Sequence, residues 1–312
     1  MTAEILILNY NGRELLQKCL PSVVEAAQAS PVPCAVTVID NCSSDDSVEL
    51  LRREFPEVRV RAAVKNLVLC SYNEAVRESR AEIVLLLNND LRVDKNFVGP
   101  LLGAFDNFPD AFFAAPRVLN FETSEYEGSL SKMEFRWGLL WGTARFEGHE
   151  EKVLRPALSM QCGFGAFHRK RFMELGGYDD LYLPGTVEDA DLCFRGWRRG
   201  WKGYYCPDSV VHHIGQATFK REFGAAGIRR LNRRNLYLFV WKNLRSPLLL
   251  AQHFLFLPLQ FLKYCLFGQF EFVQGFLEAL RLLPRALRKR GESSRETAAL
   301  SDRAVFAISR GI

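Results

Sequence analysis

The chain has 312 residues, 48% hydrophobic and 25% charged, with a formal net charge of +5. That length supplies one large domain or two small ones around a packed core. Its eight cysteines are scattered, without a CxxC pair or zinc-like spacing, which excludes a disulfide-stapled secreted module and favours reduced cytosolic thiols.

The opening MTAEILILNYNG has no basic region followed by a long apolar stretch and a cleavage site, so it is expected as a strand and not a signal peptide. Glu4 to Leu8 is a continuous apolar run ending in the turn residues NYNG. RELLQKCLPSVVEAAQAS carries helical spacing, with Pro21 expected to bend or divide it. AVTVID is a second buried strand, and NCSSDDSVELLRREF is expected to open with Asn and Ser caps before another helix. VRVRAAV, the helix around SYNEAVRESR and the strand EIVLLLNND follow. Nearly all-apolar strands alternating with helices indicate an α/β fold, a mostly parallel sheet covered on both faces.

In such sheets ligands bind beyond the carboxyl ends of the strands. Those ends are Asn9-Tyr10-Asn11, Asp40-Asn41 and Asn88-Asn89-Asp90. Neither GxGxxG nor GxxxxGK[ST] follows any of them, which argues against a dinucleotide-binding dehydrogenase or a P-loop NTPase. From Phe97 to Pro156 the pattern is irregular, and EGSLSKMEFRWGLLWGTARFEG is expected as packed loops or a mobile segment over the site.

Three groups carry chemistry. Asp90, at a strand tip, either ligates a divalent cation or satisfies turn N–H groups, and Asp40 either accepts from a base or ribose or caps a helix. In TVEDADLCFRGWRRGW a helix from Glu188 to about Arg199 puts Glu188, Asp189 and Asp191 in its first turn, where the helix dipole favours acids. The preceding GGYDDLYLPGT places that turn beside an opening, where one carboxylate could take a proton from an acceptor hydroxyl. His212-His213 ends a short strand and points to opposite faces, so a metal-ligand role requires that strand to run toward Asp90.

Taken in order, ILNYNG, VIDNCSSDDS, NLVLCSYNEA, LLLNND, the segment CGFGAFHRKRFMELGGYDDLYLPGTVEDADLCFRGWRRGW and PDSVVHHIGQAT resemble the family 2 glycosyltransferases, rhamnosyltransferase-like branch, over residues 4 to 218. The resemblance implies a GT-A fold, a nucleotide-sugar donor, a divalent metal (Mg2+ or Mn2+) and inversion at the anomeric carbon. It assigns Asn9, Tyr10 and Asp40 to the donor base and ribose, with Asn11, Asn73, Asn88, Asn89 and Glu188 among the substrate-contacting residues. Asp90 matches the last acid of the DxD motif, His213 the late histidine, and Asp189 the acid of the ED pair that serves as base. Asn88 stands where a first DxD acid often does, and Val68 where a glycine is common.

Lys and Arg crowd into the last third. Ser246 to Leu262, SPLLLAQHFLFLPLQFL, has no charged residue and is slightly short for a span of about 20 residues. A helical hairpin or interfacial helix pair on anionic lipid is expected, the alternative being helices buried on the catalytic domain or in a homodimer. The expected layout is a catalytic domain over 1–218, a membrane-associated helical region over 219–290 and a loosely ordered polar tail over 291–312. The expected enzyme moves a sugar from dTDP-rhamnose or a UDP-hexose to a glycan or lipid-linked acceptor in cell-surface polysaccharide synthesis. It would sit in the cytoplasm, peripheral on the inner face of the cell membrane, without nucleic-acid partners. The rivals are a catalytically silent, membrane-docked binding subunit and a sugar-nucleotide nucleotidyltransferase, whose glycine-rich basic first loop LNYNGRELL lacks.

Overall fold

The computed structural model describes residues 1–143, 154–156, 164–215, 217–293 and 298–308. It opens with β1 (Ala3–Asn9), α1 (Arg13–Gln28), β2 (Cys34–Asp40), α2 (Ser47–Glu54), β3 (Arg59–Ala62), α3 (Tyr72–Glu78) and β4 (Ile83–Asn88). Next come β5 (Leu91–Val93), α4 (Val98–Asn107), β6 (Ala111–Asn120), β7 (Tyr126–Gly128), the hairpin of β8 (Lys132–Arg136) and β9 (Leu139–Thr143), and β10 (Arg155–Pro156). β11 (Gly165–His168), α5 (Arg169–Glu174), α6 (Glu188–Arg198) and β12 (Lys202–His213) precede α7 (Ala217–Asn243), α8 (Pro247–Leu266), α9 (Phe270–Ser293) and α10 (Asp302–Ile308).

The main sheet runs β10-β12-β6-β11-β4-β1-β2-β3, with β5 added to β12 and β7 to β6. Its β4-β1-β2-β3 half is parallel, and β11 enters antiparallel between β4 and β6. Ile5, Ile7, Val38, Leu85 and Leu87 pack toward α1, α2 and α4, while Leu6, Ile39, Val84 and Leu86 pack toward α3, α5 and α6. Both faces are buried, which is why these strands read as unbroken apolar runs instead of alternating.

The register places Asn9 opposite Asp40 and Leu8 opposite Asn88, so the polar strand tips share one edge of the sheet. α1 runs unbroken through Pro21, because a proline removes only one helical bond and Leu16, Leu20 and Val23 anchor both sides of it. Phe97 to Pro156 holds α4 and β6 to β10 instead of packed loops, and of EGSLSKMEFRWGLLWGTARFEG residues 144–148 lie outside the described residues.

A further apolar cluster joins Phe194 and Trp197 of α6 to Phe239 and Trp241 of α7, Ala279 and Ala286 of α9, and Phe306 of α10. The stretch expected as a loose tail therefore contains a packed helix. Its buried Asp302 accepts from the backbone N–H groups of Arg245 and, at 2.7 Å, Ser246, which satisfies the start of α8. Cys193 is disulfide-bonded, so the expectation of reduced thiols fails there; spacing along a chain does not reveal which cysteines the fold brings together.

Candidate active site

Asn9, expected at the donor, is fully buried at the end of β1. Its amide donates to Ser43 Oγ at 3.3 Å and its oxygen accepts from Asn89 Nδ2 at 2.7 Å, so it holds the strand tips together from beneath. Tyr10 and Asn88 are half-buried beside it, and Asn11 accepts from Ser44 N at 2.7 Å. Asp40 accepts from Ser43 N at 3.2 Å through Oδ2, while its buried Oδ1 has no partner. The expected Asn and Ser caps of α2 are thus drawn into the site; the N-cap position falls to Asp46, whose side chain makes no capping bond, while the preceding Asp45 accepts from Ser47 N at 3.2 Å. Val68 adopts φ +50°, the left-handed region a glycine would take, so its loop has the geometry that the missing glycine would allow.

Asn73, also expected near the donor, is used inside the protein. Its oxygen accepts from Tyr178 N and its amide donates to Tyr178 O, both at 2.8 Å, and a Cβ on Gly177 would lie 2.2 Å from that oxygen. Asn73 ties the loop leading into α6 to α3.

β12 does run toward Asp90. His213 pairs with Leu91 and His212 with Arg92 in the ladder to β5, so the two imidazoles face opposite sides. His213 Nε2 lies 3.4 Å from Asp90 Oδ2, whereas His212 Nε2 lies 3.1 Å from Asp94 on the other face. Asp90 is buried and its Oδ1 has no partner. Glu127 on β7 lies 3.1 Å from His213 Nδ1, and its other oxygen accepts from Asn120 Nδ2 at 2.7 Å. Burial works against a charged His213, but the hydrogen bond and charge of Asp90, then Glu127, outweigh it and raise the imidazole above its ordinary value. Among the described residues no group of three His, Cys, Asp or Glu side chains stands ready to cage a cation. Asp90 and His213 instead offer two ligands, one with an orphaned hard oxygen, and a Mg2+ or Mn2+ there would draw its remaining ligands from diphosphate and water.

The three acids of α6 separate. Asp191 is fully buried, accepts from Tyr182 Oη at 2.7 Å, and is paired with Arg195 and Lys242 at 2.7 Å. Burial opposes its charge, but Arg195 and Lys242 outweigh it and hold it below the usual carboxylate value. Glu188 is buried with Oε2 unpartnered, and burial plus the charge of Asp189 push its carboxyl up to about 8. Asp189 remains partly exposed, accepting from Ala190 N at 2.8 Å. Thr186 and Val187, just before it, both have φ +72°. Such left-handed turns cost roughly 1–2 kcal/mol per residue.

α7 holds that strained loop. Asn235, fully buried, donates to the carbonyls of Gly185 at 2.6 Å and Tyr182 at 2.8 Å, and Arg234 donates to Leu183 O at 2.6 Å. Asn235 and Glu127 escaped sequence reasoning. RRNLYLF reads as one stripe of a basic amphipathic helix, and YEG carries no motif.

Two buried tyrosines, Tyr72 and Tyr178, pack in the same apolar cluster. Their rings lie 6.3 Å apart. Burial raises both hydroxyls; the charge of Asp90 adds to this at Tyr72, and the charges of Asp189 and Glu188 add to it at Tyr178.

Residues 4–176, more than half of the chain, match the family described as Glycosyl transferase family 2. The chain belongs to glycosyl transferase family 2. The N-acetylglucosaminyl-diphospho-decaprenol L-rhamnosyltransferase of Mycobacterium tuberculosis is 24% identical over 242 residues, covering 69% of this chain and 76% of that protein. N-acetylgalactosaminyltransferase 7 of Drosophila melanogaster is 21% identical over 72% of this chain but only 41% of its own length. The structure of GalNAc-T7 with UDP, GalNAc and Mn2+ superposes with a TM-score of 0.60 at 17% identity, over 78% of this chain and 48% of that one. The mannosyltransferase PcManGT from Pyrobaculum calidifontis with GDP-Man and Mn2+ gives 0.51 at 14% identity, over 99% and 79%. The family 2 chain thus has the GT-A fold and is a glycosyltransferase. Its matched residues end before α6 and β12, so the family match does not reach Asp189 or His213.

Proposed function

We propose that the enzyme is an inverting, metal-dependent glycosyltransferase that moves a sugar from a nucleotide-diphosphate donor to a lipid-linked glycan at the cytoplasmic face of the membrane. dTDP-rhamnose is the first donor to try, from the rhamnosyltransferase relative, and UDP-hexoses are next. The lipid-linked acceptor follows the diphospho-decaprenol in that relative's name.

The observation that carries the reading is the pair of orphaned, buried carboxylate oxygens on Asp40 and on Asp90, the latter acid 3.4 Å from an imidazole held by Glu127. Buried polar atoms without partners are costly and mark where a ligand completes the site. Asp40, with Tyr10 and Asn11, would receive the nucleoside. Asp90 and His213 would hold the cation, which when bound supplies positive charge against the leaving diphosphate. Asp189 takes the proton of the acceptor hydroxyl as its oxygen attacks the anomeric carbon from the face opposite the nucleotide. This single displacement needs no covalent enzyme intermediate. Burial and the charge of Asp189 keep Glu188 protonated.

The test is a panel of nucleotide sugars with Mn2+, read as protection against thermal unfolding, since a donor stabilises by mass action. One donor should raise the melting temperature in the presence of metal only. No shift with any dTDP-, UDP- or GDP-sugar would contradict the reading.

A further inference from the structure

α8 is long and apolar enough to cross a membrane. Its environment places it otherwise. Its buried His253 accepts from Trp241 Nε1 of α7 at 3.0 Å and lies 2.7 Å from Gly138 O, in the turn between β8 and β9. Trp241 donates to Nε2, so the proton sits on Nδ1 and points at the Gly138 carbonyl. The hairpin tip is shaped for this seat. Gly138 has φ +76°, and a Cβ there would come within 2.9 Å of the His253 backbone. Trp137 packs edge-on against Phe256, ring centroids 5.3 Å apart, and Gln260 donates to Trp137 O. One side of α8 is therefore fastened to the folded lobe and to a β-hairpin, which a membrane-crossing helix could not keep.

The other side is bare. Leu248, Ala251, Phe254, Leu255, Leu259, Leu262 and Leu266 form one exposed helical stripe, with Leu255 69% and Leu266 73% exposed. Trp137 and Trp141 extend it from the hairpin, 56% and 47% exposed. α9 continues it with Phe270, Leu277, Leu280 and Leu287, next to which Arg281 and Arg288 also stand exposed. No exposed residue from Pro247 to Arg288 is acidic, and Lys263 is the exposed charge on α8.

From this we infer that α8, the exposed stripe of α9 and the Trp137–Trp141 hairpin form one in-plane wedge that inserts into the headgroup layer of an anionic bilayer, without spanning it. The basic side chains on an apolar stripe complement anionic headgroups, whereas a second copy of this chain would bring the same positive charge against them. The exposed tryptophans suit an interfacial depth. The inference deepens the membrane attachment proposed above, and it says where the acceptor arrives. α7 and α9, which support the wedge, also hold the loop before Asp189, through Asn235 to Gly185 O at 2.6 Å and Lys289 to Asp179 at 2.7 Å.

The experiment mixes the full-length protein with vesicles of phosphatidylcholine alone or with phosphatidylglycerol, some carrying brominated acyl chains. The protein should float with the phosphatidylglycerol vesicles, less so in high salt, and be released by alkaline carbonate. Brominated chains should quench its tryptophan emission, and Trp137→Phe/Trp141→Phe should remove most of that quenching, because Trp197 and Trp241 are buried and the half-buried Trp201 packs against Phe112, away from the proposed wedge. Leu255→Glu/Leu259→Glu, at exposed positions, should weaken flotation about tenfold or more. Absence of flotation, retention after carbonate, or a dimer in free solution that this double variant dissolves would each overturn the inference. Donor-induced thermal stabilisation, measured on the same samples, reports separately on folding and on the sugar-transfer reading.

Discussion

Glu127 sits 3.1 Å from His213 Nδ1, on the side of the ring away from Asp90. A carboxylate there fixes the ring's orientation and makes the other nitrogen a better ligand. Glu127→Gln is expected to weaken Mn2+ binding about 10- to 100-fold while leaving nucleotide binding without metal unchanged. Calorimetric titration with Mn2+ checks this, and an unaltered affinity would remove Glu127 from the metal centre.

Asn235 reaches across from α7 to the carbonyls of Tyr182 and Gly185. Asn235→Ala leaves those buried acceptors unsatisfied and should cost about 1–3 kcal/mol. It should also lower kcat more than donor affinity, since the loop it holds carries Asp189 and not the nucleoside site. Urea unfolding and steady-state kinetics on one preparation separate the two effects.

Asp191 and Lys242 form a buried ion pair at 2.7 Å, with Arg195 and Asp179 also in contact. Removing one partner strands the other charge, so Lys242→Met should destabilise by about 3–5 kcal/mol. A thermal melt within a degree or two of the wild type would show that the network carries little stability.

The buried Glu188 carboxyl rises from 4.5 to about 8 on folding. Between those values the unfolded chain gives up a proton that the folded chain keeps. This contribution to stability is therefore full below pH 4.5 and is lost as pH rises through about 8. Glu188→Gln should flatten the fall in melting temperature between pH 5 and pH 8.5 relative to wild type. Parallel profiles for the two proteins would contradict the burial argument.

The parallel half of the sheet was legible because strands covered on both faces are apolar throughout, and their polar tips at Asn9, Asp40 and Asp90 stand out against that run. β6 to β9 were not, because β7 to β9 are short and mix Gly, Trp and charge, a pattern that loops share. Asn9 and Asn73, which the resemblance assigns to the donor, hydrogen-bond Ser43 and Asn89, and Tyr178, respectively. Which polar atoms are used up inside the protein is decided by packing, and a motif does not show it. The three acids after Val187 looked alike in sequence, and only burial and the reach of Lys242 from α7 tell Asp191 from Asp189. α10 was missed because Val305 and Phe306 are too few to announce a helix, and its buried Asp302 reads as one more polar tail residue.

Transfer and donor binding by Asp189→Asn test the central claim most directly, because the substitution keeps the shape of α6 and removes only the proton acceptor. The account predicts sugar transfer reduced by about 10²–10⁴-fold, with donor-induced thermal stabilisation in Mn2+ retained. Near-normal turnover by that variant would contradict it.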